Sequence, residues 1–173
     1  MPQPLYSTAL VRPLLIGLGI TVMTVAIHGL ALRMTVRFVR RQRRLGRAGV
    51  RFWKDFAIVT AVMLLTLSAH LTEMAVWASF FELWAGEFQN FATAFYQSAE
   101  NYTTLGYGDI VMSASWRLLG PLEAADGMLM FGVSTAMIFA VIQSLLQQRL
   151  SEPSERPTGL RQLRPPTGRD TLT

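Results

Sequence analysis

The segment 104–109 reads Thr-Leu-Gly-Tyr-Gly-Asp and offers a dense run of backbone and hydroxyl oxygens. Its two glycines permit the positive φ values that an alternation of carbonyl directions requires. Hard oxygen ligands suit an alkali cation and not a soft transition metal. The segment therefore predicts a cation-binding backbone. The oxygens come from five residues, Thr104, Leu105, Gly106, Tyr107 and Gly108.

Long apolar runs on both sides of this segment predict three transmembrane helices. No charged side chain lies in 14–32 or in 127–148, and 56–72 is also uncharged. About 20 helical residues are enough to cross a hydrocarbon core. We expect a first transmembrane helix over 14–32, an outer helix over 55–81 and an inner helix over 119–148.

A shorter amphipathic stretch, residues 88–103, carries apolar side chains at helical spacing and is too short to cross a membrane. The irregular backbone of 104–109 cannot face lipid, because its polar groups would be unsatisfied, so it must line a cavity. The predicted fold is an all-α membrane protein with three transmembrane helices, a re-entrant short helix and a loop. Residues 55–148 form one domain.

Charge predicts the orientation. Nine basic residues lie between Arg33 and Lys54, directly after the first span, and favour a cytoplasmic loop over 33–54. The tail 1–13 is then external. The Pro-, Arg- and Thr-rich segment 149–173 is expected to be a disordered cytoplasmic tail. The basic residues of 33–54 and those of the C-terminal tail both flank apolar runs, so nucleic acid is not an expected partner.

Three arginines, Arg37, Arg40 and Arg43, are spaced as in a voltage-sensing helix. They follow the span in a dense polar run, so we interpret them as juxtamembrane charge. Catalysis is not expected, since the sequence has no cysteine and no phosphate-binding loop, and no nucleophile is paired with a base.

The segment 102–109, together with Trp116-Arg117-Leu118, Gly127 and Phe131-Gly132, resembles the two-helix pore module of bacterial potassium channels. The resemblance covers residues 56–148 and is closest to small bacterial ion channels with one extra helix before the module. It implies a pore helix over 88–103 and a selectivity filter over 104–109. It also implies a homotetramer, surrounded by membrane lipids, in the bacterial cytoplasmic membrane. The implied permeant ion is K⁺, bound at Thr104, Leu105, Gly106 and Tyr107.

Two acidic residues near the filter are candidates for its support. In some members of the family a carboxyl one turn before the filter, here Glu100, points behind it toward the aspartate that matches Asp109. The alternative is that both acids face the outer water, and Arg117 is another candidate counter-charge.

In the inner helix, Gly127 and Gly132 lie near the family's gating glycine, and Phe131 and Thr135 are expected toward the cavity. The spacing after Trp116 is one residue shorter than in the family. Glycines five residues apart are also typical of close helix packing, so hinge and packing contact both stay open.

Ionisable residues also lie within the predicted spans. His70 and Glu73 share one face of the outer helix, and we expect a structural hydrogen bond from them to the pore helix. Glu123 and Asp126 are also ionisable residues near the start of a predicted span, and the sequence does not indicate their role. His28 is interpreted as a packed, neutral side chain.

The function expected from these features is passive, selective conduction of K⁺. Alternatives are a non-selective cation channel and a non-conducting membrane sensor or scaffold. A subunit of an active potassium transporter is disfavoured, because such proteins carry four pore repeats in one chain.

Overall fold

The computed structural model describes residues 4–49 and 51–151, with side chains described for 11–49 and 51–150. Four helices make up this part of the chain: α1 (Pro4–Arg44), α2 (Phe52–Leu83), α3 (Phe91–Tyr102) and α4 (Leu119–Ser151). The described ranges contain no strand. The predicted all-α fold is therefore confirmed. Most of the predicted tail over 149–173 lies outside the described residues.

Three of the helices are long and apolar enough to cross a membrane, over Val11–Arg44, Phe52–Leu83 and Leu119–Leu150. They correspond to the predicted first, outer and inner helices. The remaining helix, α3, has only 12 residues and lies between α2 and α4 in sequence. This is the predicted arrangement of full spans around one short helix.

Helix α1 is longer than the predicted span 14–32. It continues as a helix to Arg44, so the connection to α2 is only residues 45–51, and Pro13 lies inside the helix instead of near its start. The reason is local: no glycine or proline occurs between Gly29 and Gly46, and arginine and leucine are good helix formers. At 1.5 Å per residue α1 is about 60 Å long, roughly twice the hydrocarbon thickness.

Helix α3 begins at Phe91, three residues later than the sequence predicted. Its start is fixed by Asn90, whose side-chain Oδ1 accepts a hydrogen bond from the Thr93 backbone N–H at 2.9 Å. An asparagine in this position satisfies one of the free N–H groups of the first turn. The helix then ends at Tyr102, directly before the segment 104–109.

The helices pack around two apolar clusters. The first joins all four helices near α3, and its fully buried members include Trp77, Phe81, Ala94, Tyr102 and Leu119. The second lies at the other end of the bundle and consists of Val39, Ala48, Ile58, Val62, Val141 and Leu145. Helix α1 contributes to both clusters and contacts both α2 and α4. It is therefore packed along the bundle and not tethered at one end.

Polar contacts close the bundle at the end where α1 meets α2. The backbone N–H of Gly49 donates to Asp55 Oδ1 at 2.7 Å, and Arg149 Nε donates to Asp55 Oδ2 at 2.8 Å. A Cβ on Gly49 would lie 2.9 Å from the Gln148 side chain. The α1–α2 connection is thus held against the last turns of α4.

We predict that Gly17→Val weakens the packing of α1 on α4. A Cβ at Gly17 would lie 2.3 Å from Leu122 Cδ2, whereas one at Gly19 would meet nothing within 4 Å. Overpacking of this kind typically lowers the free energy of unfolding by about 1–3 kcal/mol. Thermal unfolding in detergent should show a lower midpoint for Gly17→Val than for the matched control Gly19→Val. Equal midpoints would contradict the α1–α4 contact.

Candidate functional site

The segment 104–109 follows α3 and has a regular backbone alternation. Thr104, Gly106 and Gly108 have φ values of 60°, 57° and 74°, and the two residues between them are not in the positive region. The two glycines thus have the positive φ expected from the sequence. Thr104 was not expected to share it, and a left-handed conformation costs a residue with a Cβ roughly 1–2 kcal/mol.

Backbone hydrogen bonds tie the start of this segment to the end of α3. Thr104 N–H donates to the Asn101 carbonyl at 2.9 Å. The N–H groups of Leu105 and Gly106 both donate to the Glu100 carbonyl, at 2.9 and 3.3 Å. The unfavourable φ of Thr104 is therefore fixed by the last turn of α3, and any displacement of α3 moves the segment with it.

In a single chain the segment is largely exposed. Leu105 and Tyr107 are 55% and 70% exposed. A cavity of about 600 Å³ lies beside the segment, lined among others by Gln97, Glu100 and Arg117. The Oε1 atoms of Gln97 and Glu100 are buried and have no hydrogen-bond partner within the described chain.

Tyr96 stands between the two acids that were candidates for filter support. Its hydroxyl donates to Asp109 Oδ2 at 3.1 Å. A hydrogen bond with Glu100, followed by desolvation and the interaction with Asp109, raises the pKa of Tyr96 above its ordinary value. Where the sequence suggested a direct bond between Glu100 and Asp109, the structure has a tyrosine between them. The sequence feature that could have predicted this role of Tyr96 is its position, one helical turn before Glu100.

Behind α3, five buried polar side chains from four helices meet; we call them the buried polar ring. Glu73 Oε1 lies 2.9 Å from His28 Nδ1, and its Oε2 accepts from the Tyr102 hydroxyl. That hydroxyl also lies 3.1 Å from His70 Nδ1. Ser134 Oγ lies 3.0 Å from His70 Nε2 and 3.2 Å from His28 Nε2. The ring joins α1, α2 and α4 to the last residue of α3.

The ring shows which partners the ionisable residues His70, Glu73 and His28 have. His70 and Glu73 do bond to the short helix, through Tyr102, as predicted. His28 is buried as expected, but it contacts the Glu73 carboxylate and is not merely packed. The donor atoms of the two histidines and Glu73 lie within 4.8 Å of one another. Because these atoms contact one another or a hydroxyl of the ring, we do not assign them to a metal.

The two acids of α4 have structural partners. Glu123 Oε2 accepts from Asn101 Nδ2 at 3.0 Å, and its Oε1 bonds to the Ser98 hydroxyl, so it fixes α3 to α4. Asp126 Oδ2 accepts from Thr24 Oγ1 at 2.7 Å and from Trp77 Nε1 at 3.1 Å, so it joins α1, α2 and α4. Both carboxyls are thus anchors between helices.

The two glycines of α4 differ in their surroundings. A Cβ on Gly127 would lie 2.0 Å from the Tyr102 carbonyl oxygen, whereas one on Gly132 would meet nothing within 4 Å. Gly127 is therefore a packing contact that lets α4 approach the end of α3. Between them, Phe131 lies against the rings of His70 and Tyr102, with centroids 4.6 and 5.6 Å away, and remains 37% exposed. Thr135 is exposed and its hydroxyl donates to the Phe131 carbonyl at 2.8 Å.

Residues 59–144 match the family model described as ion channel. We call this stretch, just under half of the chain, the matched ion-channel domain. The match spans most of α2, all of α3, the segment 104–109 and most of α4. Comparison with curated proteins and with solved structures gave no match. With three helices able to span a bilayer and an ion-channel domain, the chain is an integral membrane protein.

We predict that Gly127→Ala strongly destabilises the ion-channel domain, because the added methyl group would collide with the backbone of Tyr102. The expected loss in the free energy of unfolding is about 1–3 kcal/mol, measured by denaturation in detergent. Gly132→Ala is the matched control on the same helix. It should be neutral or slightly stabilising, since alanine favours helix more than glycine does. If both variants unfolded like the original protein, the close contact of α3 and α4 would be wrong.

Proposed function

We propose that this protein is a subunit of a potassium-selective channel that conducts K⁺ passively across a membrane. The observation that carries the proposal is the alternation of positive φ at Thr104, Gly106 and Gly108 within an ion-channel domain. Such an alternation favours carbonyl groups that face one side, where they replace the hydration shell of an ion. By the resemblance to potassium channels, Tyr107 supports K⁺ over other cations, whereas aspartate at this position would have suggested a non-selective channel.

The proposed conducting unit is a homotetramer. One chain supplies a single segment of backbone, which cannot surround an ion. The exposure of Leu105 and Tyr107 and the cavity beside the segment leave a surface that other copies can cover. The unpartnered oxygens of Gln97 and Glu100 line that cavity and support the same assembly. Closed cyclic symmetry is the usual arrangement of identical subunits.

We place the filter on the outer side, with the nine basic residues between Arg33 and Lys54 in the cytoplasm. Glu100 and Asp109 then support the filter from behind through the Tyr96 hydroxyl. Phe131 and Thr135 of α4 are proposed to face the cavity below the filter. Gly132, which has open space around its Cα, is the position at which α4 can bend or meet another copy.

The first test is selectivity. Purified protein in planar bilayers under opposed K⁺ and Na⁺ gradients should reverse its current near the K⁺ equilibrium potential. Reversal near zero would favour the non-selective cation channel. No current from protein that remains folded and assembled would favour a sensor or scaffold.

We predict that Gly106→Ala abolishes selective conduction. A Cβ at this residue meets no atom within 4 Å, so the effect comes from the backbone, because alanine disfavours a φ of 57°. The matched control is Gly46→Ala, which introduces the same strain at a φ of 61° in the α1–α2 connection. Gly46→Ala should keep the reversal potential of the original protein. K⁺-selective current from Gly106→Ala would refute the proposed filter.

We also predict four chains in the assembled protein. Native mass spectrometry in mild detergent should give a tetramer as the largest stable species, and glutaraldehyde cross-linking should proceed to the same limit. A monomer would leave the polar backbone of 104–108 facing lipid, at several kcal/mol for each unsatisfied group. A conducting preparation that contains only monomers and dimers would contradict both the assembly and the pore.

A further inference from the structure

The buried polar ring is a closed circle of five hydrogen-bond contacts. The contacts run from Glu73 to His28, to Ser134, to His70, to Tyr102 and back to Glu73. The two histidines and Glu73 each use two polar atoms in these contacts, whereas Ser134 and Tyr102 each use one hydroxyl for two contacts. No residue of the ring is more than 4% exposed. The ion-channel domain match does not include His28, so the ring is completed from outside that domain.

The number of protons in the ring follows from its contacts. Five hydrogen bonds need five protons, one in each contact. With Glu73 ionised and both histidines neutral, the ring has only four: one each from Ser134, Tyr102 and the two imidazoles. In that state one contact would bring two lone pairs together. The count is the same whichever way round the ring the bonds point.

The fifth proton completes the ring and also removes its charge. With four protons the ring has a net charge of −1, and with five it is neutral, either as a carboxylate beside an imidazolium or as a carboxylic acid between neutral imidazoles. A net buried charge is costly at membrane depth, whereas a neutral, fully bonded network is not.

The charged groups near the ring add to this effect. Asp126 of α4 interacts electrostatically with both Glu73 and His28, and Glu123 of α4 interacts with Tyr102. Within the described residues, the titratable groups of the ring itself are one from α1, two from α2 and one from α3: His28, His70, Glu73 and Tyr102. The acids of α4 therefore disfavour a further negative charge.

We propose that the buried polar ring is a proton-binding site that holds one additional proton among Glu73, His28 and His70 and couples it to the filter. Tyr102, the last residue of α3, is a positioning residue: its hydroxyl is held by the ring and Thr104 follows two residues later. Loss of the proton breaks one of the five bonds and leaves a buried negative charge. The attachment of α3 then loosens, and the proposed conducting state of the filter is disfavoured.

The site can be tested without any assumption about conduction. The chain has two histidines, so labelling histidine gives signals from His28 and His70 alone. Solid-state NMR of the protein in lipid bilayers at neutral pH should show one of two states. Either three of the four imidazole nitrogens carry protons, or two do and, in a second sample labelled at glutamate, the carboxyl signal lost in Glu73→Gln is that of a carboxylic acid. Two protonated nitrogens beside an ionised Glu73 would overturn the proposal.

The coupling to the filter rests on the proposed channel function and is tested by currents. Raising the pH should reduce the K⁺ current of the original protein in a one-proton transition, by at most about tenfold per pH unit. Glu73→Gln should lack this transition, because an amide accepts from Tyr102 and donates to His28 Nδ1, which completes the ring without a titratable carboxyl. A transition that persists unchanged in Glu73→Gln would overturn the coupling.

A serine pair provides the second variant and its control. Ser134→Ala removes the contacts to both histidines and no titratable group, so the transition should move to lower pH. Ser68→Ala on α2 removes only a bond to the Leu64 carbonyl on an exposed face, and should behave like the original protein. Equal pH profiles for the two variants would refute the ring as the source. Absence of K⁺ current in the original protein would contradict the channel function, while the NMR result would still decide the proton site.

Discussion

Backbone polar groups that enter a bilayer without partners cost several kcal/mol each, and the whole arrangement depends on how this chain meets that requirement. The irregular segment after α3 is tolerated because its first N–H groups bond to the carbonyls of Asn101 and Glu100. Helix α3 can hold them only if it is itself fixed. Helix α3 is held in place by close packing against α4 at Gly127. It is also held by the polar contacts of Ser98, Asn101 and Tyr102.

Helix α1 belongs to this support although it lies outside the matched ion-channel domain. Thr24 donates to Asp126, and His28 contacts Glu73, so α1 provides a partner for two buried carboxyls of the other helices. Removing one partner of such a contact is destabilising, because it leaves a buried polar group without its hydrogen bond. The additional helix is therefore a structural part of the bundle that holds the segment 104–109.

The sequence was sufficient for features set by local chemistry. Long apolar runs predicted three spans, and the glycines at 106 and 108 predicted positive φ there. The sequence was less informative where the outcome depends on how helices cross. The pairing of His28 with Glu73 joins residues 45 positions apart, and no periodicity in either helix reveals it. The end of α1 was missed for a different reason: charge indicates where a membrane ends, but a helix of arginines can continue into water.

The order of the polar contacts along the chain has a consequence for biosynthesis. Chains emerge from the ribosome N-terminus first, so α1 reaches the bilayer before the helices that carry Glu73 and Asp126. A carboxyl that enters hydrocarbon alone is poorly tolerated, yet each of these two arrives after its partner on α1 is already in place. The partner that α1 offers to each carboxyl is thus already synthesised when the outer helix and then the inner helix enter the bilayer.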